Sequence, residues 1–201
     1  MNYLAHLSLS FRDPHIMMGN FIADDISLKE VQHLSSSLLR GIMLHRQIDA
    51  YTDDHPAFRS SVKYLRINHH KYASVIVDII NDHFLAISWA HFYTDALDDF
   101  HDYAYDSLDA LGHLVPPSST RHVENLLKYR YLHAYGSKEG ITDVMRRMDE
   151  RTKFKSNFVG AVEEVYENYD FFLENFISLY SDLRKILDTL MAKADALILQ
   201  N

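Results

Sequence analysis

The segment ASVIVDIINDHFLA, residues 73–86, decides the fold class. Taken alone it reads as a buried strand, because Val75, Ile76, Val77, Ile79 and Ile80 crowd it with β-branched side chains. Length decides against a strand. The apolar pattern runs from about Lys71 to Trp89, too long for an ordinary strand, so a helix is expected. Set inside this apolar helix are Asp78, Asn81, Asp82 and His83. A carboxylate removed from water is costly unless something compensates its charge.

Working outward, the rest of the chain reads as helix. There are only 6 Gly and 4 Pro in 201 residues, and long Pro-free stretches favour helices. No alternating strand pattern, repeat or low-complexity linker stands out. Ser35-Ser36-Ser37 offers an N-cap to SSSLLRGIMLHRQIDAYTDD. Pro56 suits the first turn of the next helix. Further helices are expected over residues 91–111, in TRHVENLLKYRYL and in EGITDVMRRMDERT. The clearest break is GHLVPPSS, residues 112–119. The tail, residues 158–199, reads as two helices or one long one. The expectation is an all-α, compact multi-helix bundle forming one domain over 1–201. A motif-bearing half would cover 1–111 and a helical C-terminal half 112–201.

Composition narrows the function. A formal net charge of −8 argues against a general nucleic-acid-binding surface, which needs concentrated Lys and Arg. The absence of Cys excludes disulfides, thiolate catalysis and thiolate metal ligation. No signal peptide or membrane span is read from the sequence, so a soluble, cytoplasmic protein is expected.

Helical spacing then sorts the polar groups. Positions four apart share a helix face. Asp78 and Asp82 therefore project together, with His83 on the adjoining side. His45 and Asp49 of HRQID also share a face, and Gly41 one turn earlier leaves room there. GNFIADD places Asn20, Asp24 and Asp25 after a glycine, and His6 lies in the apolar MNYLAHLSL. Each has a bland reading. Asp78 could pair with Arg46, and His6 could be an ordinary hydrogen-bonded histidine. Asp25, Asp53 and Asp54 could be solvated or capping residues, and Asp95, Asp98 and Asp99 an exposed helix face. The aromatic stripe of the tail could be core. Together, however, three segments bring carboxylates and imidazoles into apolar surroundings, and a divalent cation would balance them. An oxygen and nitrogen ligand set without sulfur suits Mn²⁺, Mg²⁺ or Fe²⁺, and is compatible with Zn²⁺. The rival is a salt-bridged bundle core.

Four motifs resemble those of the acyl carrier protein phosphodiesterase (hydrolase) family. They are MNYLAHLSLS at 1–10, GNFIADD at 19–25, GIMLHRQIDAYTDDHP at 41–56 and VDIINDHFLAISW at 77–89. The specific likeness covers the first half, and the second half matches as a length and a helical pattern. The family is described as a divergent relative of the all-helical His-Asp metal-dependent phosphohydrolases. The resemblance implies hydrolysis of holo acyl carrier protein to apo carrier protein and 4′-phosphopantetheine, with Mn²⁺ or Mg²⁺ as cofactor. One departure is plain. The wider superfamily carries adjacent His-Asp, whereas here the adjacent pair is reversed, Asp82-His83. Of the two neighbouring aspartates, Asp24 matches the family motif.

On this basis Asp24, His45, Asp49 and Asp78 are expected to be metal ligands. Asp82 is expected to orient the attacking water and His83 to protonate the leaving serine oxygen, with His6 behind the ligands or at the substrate phosphate. Arg46 and Asn20 are expected to bind substrate. Carrier proteins are acidic, so docking onto this acidic chain needs local basic clusters. RSSVKYLRINHHK at 59–71, with Lys63 and Arg66, is favoured over RRMDERTKFK at 146–155. Two alternatives are carried: a metal-dependent phosphohydrolase of a nucleotide or other small phosphoester, and a non-enzymatic all-α interaction protein.

Overall fold

Helices begin where short polar side chains or prolines can satisfy or replace the free N–H groups of a first turn. The computed structural model describes residues 1–154 and 156–199, and all regular structure among them is helical. In chain order the α-helices are α1 (Tyr3–Ser8), α2 (Pro14–Ile22), α3 (Leu28–Val31), α4 (Ser36–Asp54), α5 (Pro56–His69) and α6 (Ala73–Ile87). They continue with α7 (Trp89–Phe92), α8 (Leu97–Leu111), α9 (Pro117–Tyr129), α10 (Lys138–Arg151), α11 (Phe158–Glu167) and α12 (Tyr169–Ile198). The Asp13 carboxylate accepts the N–H groups of His15 and Ile16 at the start of α2. The Ser35 hydroxyl accepts that of Leu38 at the start of α4. Pro56 occupies the first turn of α5.

The helix expected over 91–111 is two helices. Between them Tyr93 is extended (φ −131°). Trp89 stacks on Tyr93 with centroids 4.2 Å apart and donates its indole N–H to the Asp95 carbonyl at 2.9 Å. This aromatic corner ends α7 before α8 starts. The helix expected in TRHVENLLKYRYL stops at Tyr129, because Arg130 adopts a left-handed conformation (φ 43°, ψ 43°). Residues Tyr131–Gly136 then form a 3-10 turn. The tail is two helices meeting at Asn168, and its Phe172, Phe176 and Tyr180 are core.

Glycine permits the closest approach in the fold. A Cβ on Gly19 would lie 2.1 Å from the Leu38 carbonyl oxygen, and one on Gly41 would lie 2.3 Å from that of Ile16. The backbones of α2 and α4 therefore touch. The room that Gly41 leaves is filled by α2, and this sets Asn20 beside His45. The buried apolar residues, from Met1 to Ala194, form one hydrophobic cluster drawn from both halves of the chain. Among the described residues no helix is long and apolar enough to cross a membrane.

Candidate metal centre

On α4 the one-turn spacing does what helical geometry requires: His45 Nε2 lies 3.0 Å from Asp49 Oδ2. The other oxygen of that carboxylate, Oδ1, lies 3.1 Å from His6 Nε2. The two imidazoles stack with centroids 4.0 Å apart. Asp24, in the 3-10 turn that follows α2, brings Oδ1 to 3.3 Å from His45 Nε2. Four residues from three segments thus converge. His6 and His45 are buried, while Asp24 stands open to solvent.

Asn20 decides how His45 presents itself. His45 Nδ1 lies 2.9 Å from the Asn20 carbonyl oxygen and 3.1 Å from its Oδ1. Both are acceptors, so Nδ1 carries the proton and Nε2 of the neutral ring carries the lone pair. The Asn20 amide nitrogen is held by the His6 carbonyl at 2.9 Å and Ser10 Oγ at 3.0 Å. Asn20 is wholly buried behind His45. It orients the His45 ring rather than facing a substrate, which corrects its expected role.

The donor set fits a divalent cation. A lone pair on Nε2 aimed at two carboxylates is unfavourable unless a positive charge lies between them. Neither Nε2 contact has hydrogen-bond geometry, so this buried nitrogen lacks a hydrogen-bond partner. Without an ion the charge must come from protons. Burial works against a charged His45, yet Asp24 and Asp49 outweigh it and raise its pKa to about 9. Burial and the neighbouring His45 push His6 down to about 4. Burial opposes ionisation of Asp49 too, but His45 and His6 hold its carboxyl far below the usual range.

Asp78 lies apart from this group. Its Oδ1 accepts the Met1 α-ammonium at 2.7 Å, and that ammonium is 3.7 Å from Asp49 Oδ1. Burial would lower the ammonium's pKa, but Asp78 and Asp49 raise it to about 10. Neither the pairing with Arg46 nor a place beside His45 describes Asp78. Asp82 is fully buried, and its carboxylate accepts the backbone N–H groups of Leu4 at 2.7 Å and Ala5 at 3.1 Å. Burial raises its pKa to about 7 against those two donors. It anchors the first turn of α1, and thereby His6, instead of meeting water. His83 is also engaged. Its Nδ1–H donates to the Tyr135 carbonyl at 2.7 Å, and its Nε2 accepts the Tyr166 hydroxyl at 2.9 Å. No ring nitrogen is left to protonate a leaving group.

Arg46 contacts Met43 Sδ at 3.8 Å and has no carboxylate partner among the described residues. Lys63 and Arg66 are exposed on α5 and line a groove of about 480 Å³ with Asp53, Phe58, Arg59, Val62 and Ser74. Asp53 is one turn past Asp49 on α4, and Ser74 one turn before Asp78 on α6. The groove and the centre therefore share α4, and the groove also reaches the helix that carries Asp78. In the other basic cluster Arg146 pairs with Asp143, and Lys155 lies outside the described residues. Asp25, expected to be solvated or capping, accepts from His122 at 2.7 Å.

The sequence as a whole matches known proteins. The family described as acyl carrier protein phosphodiesterase matches residues 1–183. A relative from Yersinia enterocolitica, named acyl carrier protein phosphodiesterase, is 29% identical over 185 residues, covering 90% of this chain and 94% of the relative. A protein of the same name from Serratia proteamaculans is 29% identical, covering 91% and 95%. Another from Salmonella agona is 28% identical, covering 90% and 94%. No solved structure matches.

Proposed function

The chain belongs to the acyl carrier protein phosphodiesterase family, and from that membership and the chemistry of the cluster we propose that it hydrolyses holo acyl carrier protein. Water attacks phosphorus, the bond from phosphorus to the carrier serine oxygen breaks, and the serine takes up a proton. Apo carrier protein and 4′-phosphopantetheine are released.

The observation that carries the reading is the meeting of Asp24, His6, His45 and Asp49 around an Nε2 that lacks a hydrogen-bond partner. These four residues would hold a divalent cation, with His6 in the place first expected for Asp78. Their carboxylates favour Mn²⁺ or Mg²⁺, and their imidazoles also suit Fe²⁺ or Zn²⁺. The chemistry such an ion supplies is charge withdrawal from a phosphoryl oxygen and acidification of water. The chain's own residues do the rest. Asn20 fixes the His45 tautomer, as outer partners of metal-binding histidines commonly do. Asp82 holds α1, so that His6 meets Asp49. Arg46 is assigned to the phosphate, where a guanidinium can hold two oxygens at once. Kinship with the His-Asp phosphohydrolases is part of the same proposal, supported by a carboxylate–imidazole centre built on helices.

Lys63 and Arg66 are proposed to receive the acidic carrier protein. Neither has a carboxylate partner among the described residues, and their groove reaches Asp53, one turn past Asp49 on α4. A cytoplasmic location and the lack of a nucleic-acid partner accord with an acidic chain of this kind. Incubation with holo carrier protein and Mn²⁺, read by mass spectrometry, tests the proposal. Loss of the phosphopantetheine mass is expected. An unchanged carrier protein, in a preparation that cleaves a small phosphodiester, would assign the centre to another substrate.

A further inference from the structure

A second convergence of ligating atoms lies apart from the His45 centre. Asp98 stands in the first turn of α8, His101 follows one turn later, and His133 lies in the Tyr131–Gly136 turn. His101 Nδ1 is 3.1 Å from His133 Nδ1. Asp98 Oδ1 is 3.8 Å from each of those nitrogens. A point equidistant from three atoms so spaced is about 2.1 Å from each. That is the distance at which Zn²⁺ binds imidazole nitrogen and carboxylate oxygen, about 2.0–2.2 Å.

We propose that Asp98, His101 and His133 form a second, structural metal site, taking Zn²⁺ or a similar imidazole-binding divalent ion. The arrangement has the features such a site needs. The His101 side chain is 2% exposed, so its Nδ1 is held in place by packing. The Asp98 and His133 side chains are 86% and 43% exposed. An ion can therefore enter from solvent and fill its remaining position with water. Two imidazoles and one carboxylate favour Zn²⁺ over the harder Mg²⁺ or Mn²⁺, so the two centres differ in preference. The consequence is mechanical. The ion ties the start of α8 to a turn that also carries Tyr135, whose hydroxyl accepts from Asn2 and whose carbonyl holds His83. The turn backs onto the elements that carry His6.

Calorimetric titration of metal-free protein with Zn²⁺, alongside thermal melting, tests this independently of the catalytic reading. The exposed positions tolerate substitution, so His133→Ala and Asp98→Asn should keep the wild-type circular dichroism and turnover. Each should lose one equivalent of Zn²⁺ or weaken it by at least about tenfold, a loss that even outer-shell changes cause. Zn²⁺ should still raise the Tm of His45→Ala, and should fail to raise that of His45→Ala/His133→Ala. Unchanged stoichiometry and affinity in His133→Ala would overturn the second site and leave the His45 centre standing. So would Zn²⁺ stabilisation of the double variant equal to that of His45→Ala.

Discussion

His6 Nε2 lies 3.1 Å from Asp49 Oδ1, a contact that spans 43 residues of chain. Through it one carboxylate engages two stacked imidazoles, because its other oxygen lies 3.0 Å from His45 Nε2. Asp49→Asn removes the charge and keeps the shape. It should lower kcat by at least about tenfold, since even residues behind a metal's ligands cost about 10–100-fold when changed. Mn²⁺ binding should weaken in parallel, and helical circular dichroism should not change. Turnover within a fewfold of wild type would remove Asp49 from the centre.

Asp82 acts at one remove. Asp82→Ala strands the buried N–H groups of Leu4 and Ala5, at about 1–3 kcal/mol for each orphaned donor. A lower Tm is expected, together with a fall in kcat at nearly constant KM for carrier protein, since α1 would no longer hold His6. Asp82→Asn keeps one acceptor and should lie between. A variant with lowered Tm and wild-type kcat would limit Asp82 to stability.

The contact of α2 and α4 leaves no space for a methyl group. Gly41→Ala puts Cβ against the Ile16 carbonyl, and overpacking of this kind costs about 1–3 kcal/mol or more. Because the same crossing sets Asn20 beside His45, kcat should fall as well. Urea unfolding and steady-state kinetics check the two effects together. Stability equal to wild type would show that the helices can separate.

Docking can be separated from chemistry. Lys63→Glu/Arg66→Glu should raise KM for carrier protein by about tenfold or more, with the effect shrinking at high salt. Hydrolysis of a small diester should stay at the wild-type level. Equal losses on both substrates would move the docking surface elsewhere.

His83 predicts a pH dependence. Burial lowers its pKa, partly opposed by its bond to the Tyr135 carbonyl. A histidine whose folded pKa is depressed contributes fully above its unfolded value of about 6.5. That contribution is lost as pH falls through 6.5 towards the folded value. Tm should therefore drop more steeply on acidification in wild type than in His83→Asn, which retains a donor for the Tyr135 carbonyl. Parallel Tm profiles would show that His83 is not buried as a neutral ring.

The helices were legible because their signals are local. Ser35 and Pro56 act within one turn of themselves, and the His45–Asp49 pair follows from spacing on one helix. The break at Tyr93 was not legible, because it depends on how Trp89 and Tyr93 pack. The same limit explains the site. Spacing showed that Asp78 and Asp82 share a face, but not what lies against it. One meets the Met1 ammonium and the other meets two backbone N–H groups of α1. His6 carries no periodic partner, so nothing in the sequence ranks it above other histidines until α1 is placed over α4. Asn20 acts through its own backbone carbonyl as much as its amide, which no residue pattern records.

The most direct test is the position of the ion itself. Crystals soaked in Mn²⁺ should give an anomalous peak within coordination distance of His45 Nε2, His6 Nε2 and the carboxylates of Asp49 and Asp24. A peak ligated instead by Asp78 or Asp82, or no peak at His45 in a preparation that turns over holo carrier protein, would contradict the proposed centre.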